Sequence, residues 1–261
     1  MPELPEVEAA SRLLRRATLG KTIASVRAIH PALKRKLPAA RARRAKGKRI
    51  EAIERRGKHQ LLTLDGGDTL VVHFRMNGDW EIGTVDDTLH RFARAVIELT
   101  DGTRISLVDS RALSSITLDR EGSSSLPKLG REASDPALDA EYLLAALKRR
   151  KIAIKPALMD QSVVAGLGNI YAAEALWEAE LDPRSPSPKM SLAKLQKLVD
   201  AIRLVLSPVK RRPGRYTEKR GVSRFAVYDR EGKVCRRCGA TIERIVQAGR
   251  STYFCPGCQL G

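Results

Sequence analysis

Apolar positions recur at helical spacing at the start of the chain and give way to short strand-like runs further on. Val7, Ala10, Leu14 and Ala17 recur every three to four residues, which predicts a helix that ends at Gly20. From residue 21 to about residue 118 the pattern is that of strands separated by Asp- and Gly-containing turns, which predicts a β-sandwich or a β-barrel. The predicted strands are Thr22–Ile29, Arg49–Arg56, Leu61–Leu64, Thr69–Phe74, Ala95–Leu99 and Arg104–Val108.

The second half of the chain changes to a helical texture. The run Gly122-Ser-Ser-Ser125 predicts a linker between two domains. A helical repeat continues up to Leu206, and Ser191 is placed to cap that helix. Other predicted elements are a helix at Glu141–Arg150, a short helix opened by Pro156, a helix at Ile170–Glu178 capped by Asn169, and a basic loop at Pro208–Arg224. The chain is therefore predicted to be an α+β protein.

The net charge of the chain indicates the kind of partner that it binds. The chain has 48 Lys and Arg against 30 Asp and Glu, a net charge of +18. Such an excess favours a polyanionic partner, most simply nucleic acid, while the low aromatic content disfavours a binder of single strands. Residues 34–58 hold twelve cations and two acids, which is typical of an edge that follows phosphates, although a solvated charged face has the same composition.

A membrane is the rival partner, and the sequence does not favour it. No segment reads as a basic amphipathic helix with an aromatic face, and no apolar run is long enough to cross a bilayer. The N-terminus has acids where a secretory signal has bases. We therefore expect a soluble, intracellular, cytoplasmic protein.

All four cysteines lie near the C-terminus as two CxxC pairs, Cys235/Cys238 and Cys255/Cys258. This spacing is typical of zinc, and four thiolates leave no open position for substrate, so a single structural Zn²⁺ is predicted. An iron–sulfur cluster or a redox pair is the alternative. Between the pairs, Thr241–Val246 and Arg250–Phe254 are predicted to form a hairpin, with Arg250 near its tip, where it could contact a phosphate.

The N-terminus carries candidate chemistry. Removal of Met1 would leave Pro2 with a free secondary amine, which has a pKa near 8 and can attack an aldehyde-level carbon to give an iminium. Glu3 and Glu6 place carboxylates within reach for proton transfer. The alternative is that a proline and acids at this position only favour the helix start.

The turn Gly166–Asn169 is a second candidate site. Two glycines allow backbone amides to point outward, and the start of the following helix adds a positive dipole end, so the turn can bind an anion. Lys155 lies one short helix away and strengthens the case for a phosphate. A plain tight turn has the same signature.

Several motifs together resemble those of the formamidopyrimidine-DNA glycosylase and endonuclease VIII family, and the start is closer to the formamidopyrimidine branch. They occur in one order and cover the whole chain: the start MPELPEVE, Arg56-Gly-Lys58, Ala153–Asp160, Val164–Ala172 and the paired CxxC motifs. The resemblance implies a helix and β-sandwich, then a helix–two-turn–helix domain with a zinc finger, and DNA between them. The predicted parts are residues 1–121, a linker at 122–135, the helical domain at 136–224 and the finger at 225–261.

The resemblance also implies roles for individual residues. Pro2 corresponds to the Schiff-base nucleophile, Glu3 to the proton donor, Lys58 to the lysine of β-elimination and Arg250 to the finger arginine that grips phosphates and acts in δ-elimination. Met76 resembles the wedge that fills the space of the extruded base, although a methionine after a strand is more often core. Further implied DNA contacts are His73, His90, Arg111, Arg150, Lys155 and Asn169.

Two departures bear on substrate choice. Leu113 stands where the formamidopyrimidine branch usually has Phe, and Pro208–Arg224 is short and lacks the run that caps 8-oxoguanine. We therefore expect a monomeric DNA glycosylase and abasic-site lyase that acts on double-stranded DNA with oxidised purines or abasic sites. The alternatives are an enzyme for oxidised pyrimidines, as in the endonuclease VIII branch, and a zinc-stabilised protein that binds kinked or abasic DNA without catalysis.

Overall fold

The computed structural model describes residues 2–207 and 225–260. The chain divides into two compact units, residues 1–127 and 128–261. The predicted basic loop Pro208–Arg224 lies outside the described residues. Among the residues that are described, no helix is long and apolar enough to span a membrane.

The first unit is one helix and two antiparallel four-stranded sheets. Helix α1 spans Leu4–Thr18 and buries the apolar stripe that the sequence predicts, including Val7, Ala10 and Leu14. The strands are β1 Ile23–Ala28, β2 Ile50–Arg56, β3 His59–Leu64, β4 Thr69–His73, β5 Asp79–Thr84, β6 Ala93–Leu99, β7 Thr103–Val108 and β8 Ser115–Asp119. One sheet has the order β1-β6-β7-β5 and the other β2-β3-β4-β8.

The two sheets share a single core, so the predicted β-sandwich is confirmed. Alternate residues of β3, Gln60, Leu62 and Leu64, are buried, as expected for a strand with one face in a core. Leu62 and Leu64 belong with residues of the other sheet, such as Ile97 and Leu107, to one continuous apolar cluster. Gln60 is the polar member of this inner face, and its Oε1 accepts from the Trp80 indole N–H at 2.8 Å.

The sequence-based assignment misses five elements of this unit. Strands β5 and β8 are absent from it, and residues 31–45 form short helices within a stretch predicted to have β texture. These are α2 Pro31–Lys34, α3 Ala39–Ala42 and a 3-10 turn Arg43–Ala45. Leu33, Leu37, Ala42 and Ala45 are buried in the core, so the cations between them are directed outward.

The second unit is mainly helical. Its elements are β9 Arg131–Glu132, α4 Ala140–Leu147, α5 Ile154–Met159, β10 Val164–Ala165, α6 Asn169–Glu178, a 3-10 turn Ser187–Lys189, α7 Leu192–Leu206, β11 Glu243–Gln247 and β12 Arg250–Phe254. Ser191 caps α7 as predicted, since its side chain accepts from the Lys194 N–H. Strands β11 and β12 form the predicted hairpin, although β11 begins two residues later than expected.

Two helix starts differ from the prediction. Helix α5 begins at Ile154, so Pro156 lies in its first turn and does not open it. The N-cap of α6 is Gly168 and not Asn169, whose side chain is bonded elsewhere. A proline early in a helix costs no hydrogen bond, because the first N–H groups have no intrahelical partner.

Candidate active site and zinc centre

The start of α1 is held by a reciprocal cap between two of the predicted catalytic carboxylates. The Glu3 backbone N–H donates to Glu6 Oε2 at 3.0 Å, and the Glu3 side chain accepts from the Glu6 backbone in return. Glu3 is 1% exposed. Because Pro2 directly precedes Glu3, the cap holds the helix start next to Pro2. The acids therefore serve the helix start and remain next to Pro2, so the two interpretations of this stretch are compatible.

Lys58 lies at the turn that joins β2 to β3. Gly57, the first loop residue, has a φ of +59°, which a two-residue hairpin of this kind requires and glycine adopts without strain. Lys58 is only 6% exposed. Burial lowers the pKa of its ammonium, and the nearby charges of Glu3 and Glu6 oppose that shift. The hairpin thus brings an amine that gives up its proton more readily than usual next to the carboxylates at the start of α1.

Two histidines pack together beside Lys58. His59 and His73 are paired across β3 and β4, with ring centroids 4.5 Å apart in an edge-on arrangement. Burial, assisted by the charge of Arg75, lowers the pKa of His59 to about 4; burial, His59 and Arg75 lower that of His73 to about 3. Both rings are therefore neutral near pH 7, and the pair adds no charge to the turn that carries Lys58.

A tight turn after β4 presents Met76. The Arg75 backbone N–H donates to His73 Nδ1 at 2.9 Å, and the Gly78 N–H donates to the Phe74 carbonyl at 3.0 Å. A Cβ at Gly78 would lie 2.7 Å from that carbonyl oxygen, so the turn requires glycine there. Met76 is 37% exposed, which places it at the surface and not in the core.

A buried carboxylate organises the loop that carries Arg111. Asp109 accepts from the backbone N–H groups of Arg111 at 2.9 Å, and of Leu113 and Ser114 at 2.7 Å each. Arg111 and Leu113 are both exposed on this loop. Sequence reasoning had assigned no role to Asp109. An aspartate at the start of a loop with small polar neighbours, as in Asp109-Ser110, is the signal that could have found it.

The Asp109 loop is tied to the segment that contains His90. Arg94 Nε donates to the Asp109 carbonyl at 2.6 Å, and the guanidinium of Arg94 lies 5.6 Å from the ring centroid of Phe92. His90 Nδ1 accepts from the Phe92 N–H at 3.0 Å, which leaves its Nε2 for another partner. His90 and Arg111 are thus held on connected loops. Arg94 is a second residue that sequence reasoning missed.

In the second unit, Lys155 and Asn169 form one buried network with the hairpin. Lys155 is 1% exposed, and its Nζ donates to Asn169 Oδ1 at 2.5 Å, Thr252 Oγ1 at 2.8 Å and the Ser251 carbonyl at 3.3 Å. Asn169 Nδ2 donates to the same Ser251 carbonyl at 3.0 Å. An ammonium has three donors. These three bonds therefore make Lys155 a link between α5, α6 and β12. Its ammonium places a positive charge in the interior next to Asn169.

The glycine turn before α6 has a dedicated support. Gly166 adopts a φ of +92°, and its N–H donates to Gln161 Oε1 at 3.0 Å. Gln161 Nε2 in turn donates to the Leu167 carbonyl at 2.7 Å. Gln161 therefore fixes the turn from both sides, a role that sequence reasoning did not assign to it.

The remaining predicted contacts of this unit lie at two places. Arg250 is exposed at the first position of β12, directly after the tip residues Ala248 and Gly249, where a phosphate could reach it. Arg150 is paired with Asp160 and donates to Ser162 Oγ at 3.1 Å. That pairing anchors the start of the segment leading to α5.

The four cysteines converge as the zinc motif predicts. Their sulfur atoms all lie within 4.8 Å of one another, with 3.8 Å between Cys235 and Cys258 and 3.4 Å between Cys238 and Cys255. A zinc ion about 2.3 Å from four thiolates in tetrahedral geometry would hold the sulfurs about 3.8 Å apart. The residues present therefore fit one structural Zn²⁺.

Both cysteine pairs are attached to the C-terminal end of α6. Arg237, inside the first pair, lies 4.0 Å from the ring centroid of Trp177 and is 3.2 Å from Glu180. Gln259, beside the second pair, accepts from the Cys255 N–H and donates to the Leu181 carbonyl, each at 2.8 Å. The finger therefore supports the helix whose other end carries Asn169.

Three family models match the chain in sequence order. They are the formamidopyrimidine-DNA glycosylase N-terminal domain over residues 1–116, the H2TH domain of the same enzymes over 129–215, and the zinc finger found in FPG and IleRS over 232–260. The helix–two-turn–helix and zinc-finger assignments of the sequence analysis are thereby confirmed.

Full-length relatives and solved structures agree with these matches. The chain is 39% identical to formamidopyrimidine-DNA glycosylase of Chloroflexus aurantiacus, covering 100% of this chain and 98% of the relative, and 36% identical to that of a Nocardioides species, covering 99% and 94%. It resembles Lactococcus lactis Fpg in complex with abasic-site DNA at 29% identity and a TM-score of 0.88, and MutM in complex with DNA containing carbocyclic 8-oxo-G at 30% and 0.90. Both structural matches cover 100% of both chains.

Proposed function

Because the chain belongs to the formamidopyrimidine-DNA glycosylase family, we propose that it is a DNA glycosylase and abasic-site lyase of base excision repair that removes oxidised purines. The single observation that carries the proposal is that Glu3 and Glu6 at the start of α1, directly after Pro2, lie close enough to the buried Lys58 for their charges to act on it. The relatives bear the name of that enzyme, and the similar solved structures hold abasic-site or 8-oxo-G DNA. Double-stranded DNA with such lesions is the substrate.

The reaction begins at Pro2. Its amine attacks C1′ of the damaged nucleotide, the glycosidic bond breaks, and the base leaves with a proton supplied from Glu3. The C1′–O4′ bond of the sugar then breaks as O4′ takes up the proton that the proline nitrogen loses, and the nitrogen lone pair forms the iminium with C1′. This cation acidifies the C2′ proton, so a neutral amine at Lys58 can take that proton and the 3′ phosphate departs in β-elimination. The lowered pKa of Lys58 makes its neutral form less costly, and the capped Glu6 keeps a second carboxylate at the helix start.

The DNA contacts follow from the exposed turns. Met76 enters the space that the extruded base leaves, and Arg111 faces the unpaired base opposite it. His73 and His90 make further contacts to the DNA. In the second unit, Asn169 and Arg250 bind phosphates, and the buried Lys155, which is bonded to Asn169, supplies positive charge next to them. Arg150 is a further basic contact to the DNA. Arg250 further stabilises the second phosphate as it leaves in δ-elimination.

We assign one function to each domain, within the domain limits predicted from the sequence. Residues 1–121 form the catalytic domain, 122–135 a linker, 136–224 the DNA-binding helical domain and 225–261 the zinc finger. An enzyme that acts on chromosomal DNA and carries four thiolates on zinc belongs in a reducing compartment. We place it in the cytoplasm, associated with DNA and working as a monomer.

Borohydride trapping on an abasic duplex tests the proposal. Reduction during turnover should join DNA covalently to the protein, and peptide mapping should find the adduct on Pro2 of a chain from which Met1 has been removed. Pro2→Gly, with a poorer amine, should trap weakly. An adduct that maps to Lys58 would overturn the assignment of the nucleophile. Absence of any adduct, with tight binding to abasic DNA intact, would favour a non-catalytic binder instead.

A second candidate keeps the chemistry and changes the lesion. Leu113 is exposed on the Asp109 loop and is smaller than the Phe that is usual in the formamidopyrimidine branch. A smaller side chain beside the unpaired base favours a broader choice of lesion, including the oxidised pyrimidines of the endonuclease VIII branch. A panel of defined lesion duplexes separates the two candidates.

A further inference from the structure

The strongest charge imbalance outside the turn that carries Lys58 lies in the segment of short helices between β1 and β2. Residues 31–49 contain nine Lys or Arg and no Asp or Glu. The apolar members of this segment face the core, as Ala42 at 2% and Ala45 at 0% exposure show. The cations between them are therefore held on the outside of a folded element and do not belong to an unstructured basic segment.

Part of this charge is neutralised internally and part is not. Arg44 pairs with Asp68 at 3.0 Å, and Lys48 lies 3.8 Å from Asp65. In contrast, Arg41, Arg43 and Lys46 are exposed, and no carboxylate among the described residues forms an ion pair with them. We call these three residues the distal basic surface.

The distal basic surface lies at the opposite end of the sandwich from Lys58. The Arg44–Asp68 and Lys48–Asp65 pairs attach the segment to the β3–β4 turn, whereas Lys58 lies at the β2–β3 turn. Strand β3 separates these turns and has six residues, about 20 Å at 3.3 Å per residue. That separation is about the width of a DNA duplex, so these cations do not belong to the cluster around Lys58.

We propose that the distal basic surface binds the backbone of a second segment of double-stranded DNA while the end of the sandwich that carries Lys58, the catalytic end, holds the first. Arg41 and Arg43 offer planar guanidinium groups that match phosphate oxygens, and Lys46 adds a mobile point charge. Binding through phosphates alone is independent of sequence. A second weak site of this kind lets the enzyme pass directly from one duplex to another without first dissociating into solution. The inference rests on the proposed function only in taking DNA as the partner of the catalytic end.

Direct transfer has a kinetic signature. When a protein simply dissociates, its release from a labelled duplex does not depend on the concentration of a competing duplex; when it transfers directly, release accelerates with competitor. The labelled probe is a short duplex with a stable abasic-site analogue, and the competitor is an undamaged duplex. We expect release from wild-type protein to accelerate by at least about threefold over the competitor range, since the added contacts are phosphate contacts that lower the barrier to exchange. The combined variant R41Q/R43Q/K46Q should show release that is nearly independent of competitor.

A matched control separates the surface from net charge. The variant K189Q/K194Q/K197Q removes the same three charges near and within α7 of the second unit and should retain the acceleration. Single-turnover cleavage of a short abasic duplex should be unchanged in R41Q/R43Q/K46Q, because none of these residues is part of the catalytic machinery. The proposal would be overturned by a wild-type release rate that does not depend on the competitor concentration. It would also be overturned if competitor accelerated release from R41Q/R43Q/K46Q as much as from the wild type. Acceleration by polyglutamate as strong as that by DNA would overturn it too, because the surface would then be a general contact for acidic chains. Failure of the proposed function would show up separately, as absence of cleavage by the wild type.

Discussion

Arg55 joins Glu8 on α1 to the turn that carries Lys58. Its Nε donates to Glu8 Oε2 at 3.0 Å, and its Nη1 donates to the Gly57 carbonyl at 2.9 Å. The Arg55 side chain is only 10% exposed. One planar guanidinium thus links helix α1 to Gly57, the loop residue next to Lys58. We therefore expect the position of Lys58 relative to the start of α1 to depend on this link.

Arg55→Lys should slow β-elimination more than it slows Schiff-base formation. A lysine keeps the charge but cannot bond two acceptors in fixed directions, so the Lys58 turn would lose its attachment while Pro2 would not. We expect β-elimination on an abasic duplex to fall by about tenfold, corresponding to ~1.4 kcal/mol, while borohydride trapping changes less. Rapid-quench kinetics of strand cleavage and of trapping measure the two steps.

The control for this prediction is Arg27→Lys. Arg27 pairs with Glu98 at 2.7 Å, but its side chain is 61% exposed and lies on β1. An exposed pair contributes little, so this variant should behave as the wild type. Equal loss of trapping and of β-elimination in Arg55→Lys would show that the arginine only stabilises the fold.

Zinc removal should be visible through Trp177. Its ring packs against the cysteine cluster and under Arg237, whereas the only other tryptophan, Trp80, lies in the first unit. In a Trp80→Phe protein, a chelator should therefore change the fluorescence of Trp177 and abolish DNA binding, since structural zinc supplies local folding energy. Cys238→Ser should have the same effects without chelator. A metal analysis that finds iron, or no metal bound to active protein, would contradict the zinc assignment.

Arg250 should contribute to both affinity and salt dependence. Its guanidinium is exposed at the hairpin tip, so Arg250→Ala should reduce the slope of log affinity against log salt by about 0.9, the value for one phosphate contact. Turnover should fall as well. The matched control is Arg244→Ala on the adjacent strand, where Arg244 pairs with Glu231 at 2.7 Å. A loss in both variants would point to the stability of the hairpin and not to a phosphate.

The histidine pair should make stability depend on pH below neutrality. Both groups have folded-state pKa values, about 4 for His59 and about 3 for His73, that lie below the ordinary value of 6.5. The unfolded chain therefore binds protons that the folded chain does not between these values. The part of the free energy of unfolding that depends on the two neutral histidines is present in full above pH 6.5. It is lost as the pH falls toward 4, by at most about 1.4 kcal/mol per pH unit for each group.

Denaturant melts of wild type and His59→Gln between pH 7 and pH 4 measure this effect. The variant lacks one of the two titrating groups, so its stability should fall less steeply across the same window. His90→Gln is the control, because His90 lies at an exposed loop outside the pair. Parallel slopes for wild type and His59→Gln would refute the assignment.

The sequence predicted the elements and sites that depend on local pattern or on a complete motif. The stripe of Val7, Ala10 and Leu14 predicted α1 because helical periodicity and burial agree there. The cysteine spacing predicted the zinc cluster because the ligands of each pair are adjacent in sequence.

The missed features depend on contacts between distant residues or on weak local signals. Strand β5 contains Asp79 and Gly83, which disfavour a strand, and it forms because β7 pairs with it. Helix α2 has only four residues, too few for periodicity, although Pro31 at its first position was a signal. Asn169 looked like a cap by position, but its side chain bonds Lys155 and Ser251, which lie far away in sequence.

Leu113 gives a direct test of lesion choice. Its backbone N–H is fixed by Asp109 Oδ2 at 2.7 Å and its side chain is 44% exposed, so a larger side chain can be placed there without moving the loop. Leu113→Phe should fill more of the space beside the unpaired base and sharpen the preference for oxidised purines. Leu89→Phe, which enlarges another exposed leucine of the same unit, is the control.

The wild-type protein should process ring-opened purines and abasic sites well, show a weaker preference for 8-oxoguanine, and accept some oxidised pyrimidines. A pocket that distinguishes 8-oxoguanine from guanine needs polar groups on the few atoms that differ. The resemblance to the formamidopyrimidine branch implies that a loop supplies much of that pocket, and the matching Pro208–Arg224 is short and strongly basic. Single-turnover rates on matched duplexes carrying each lesion measure the preference. A strong selectivity for 8-oxoguanine opposite cytosine, with no activity on pyrimidines and no change in Leu113→Phe, would mean that neither the loop nor Leu113 governs lesion choice.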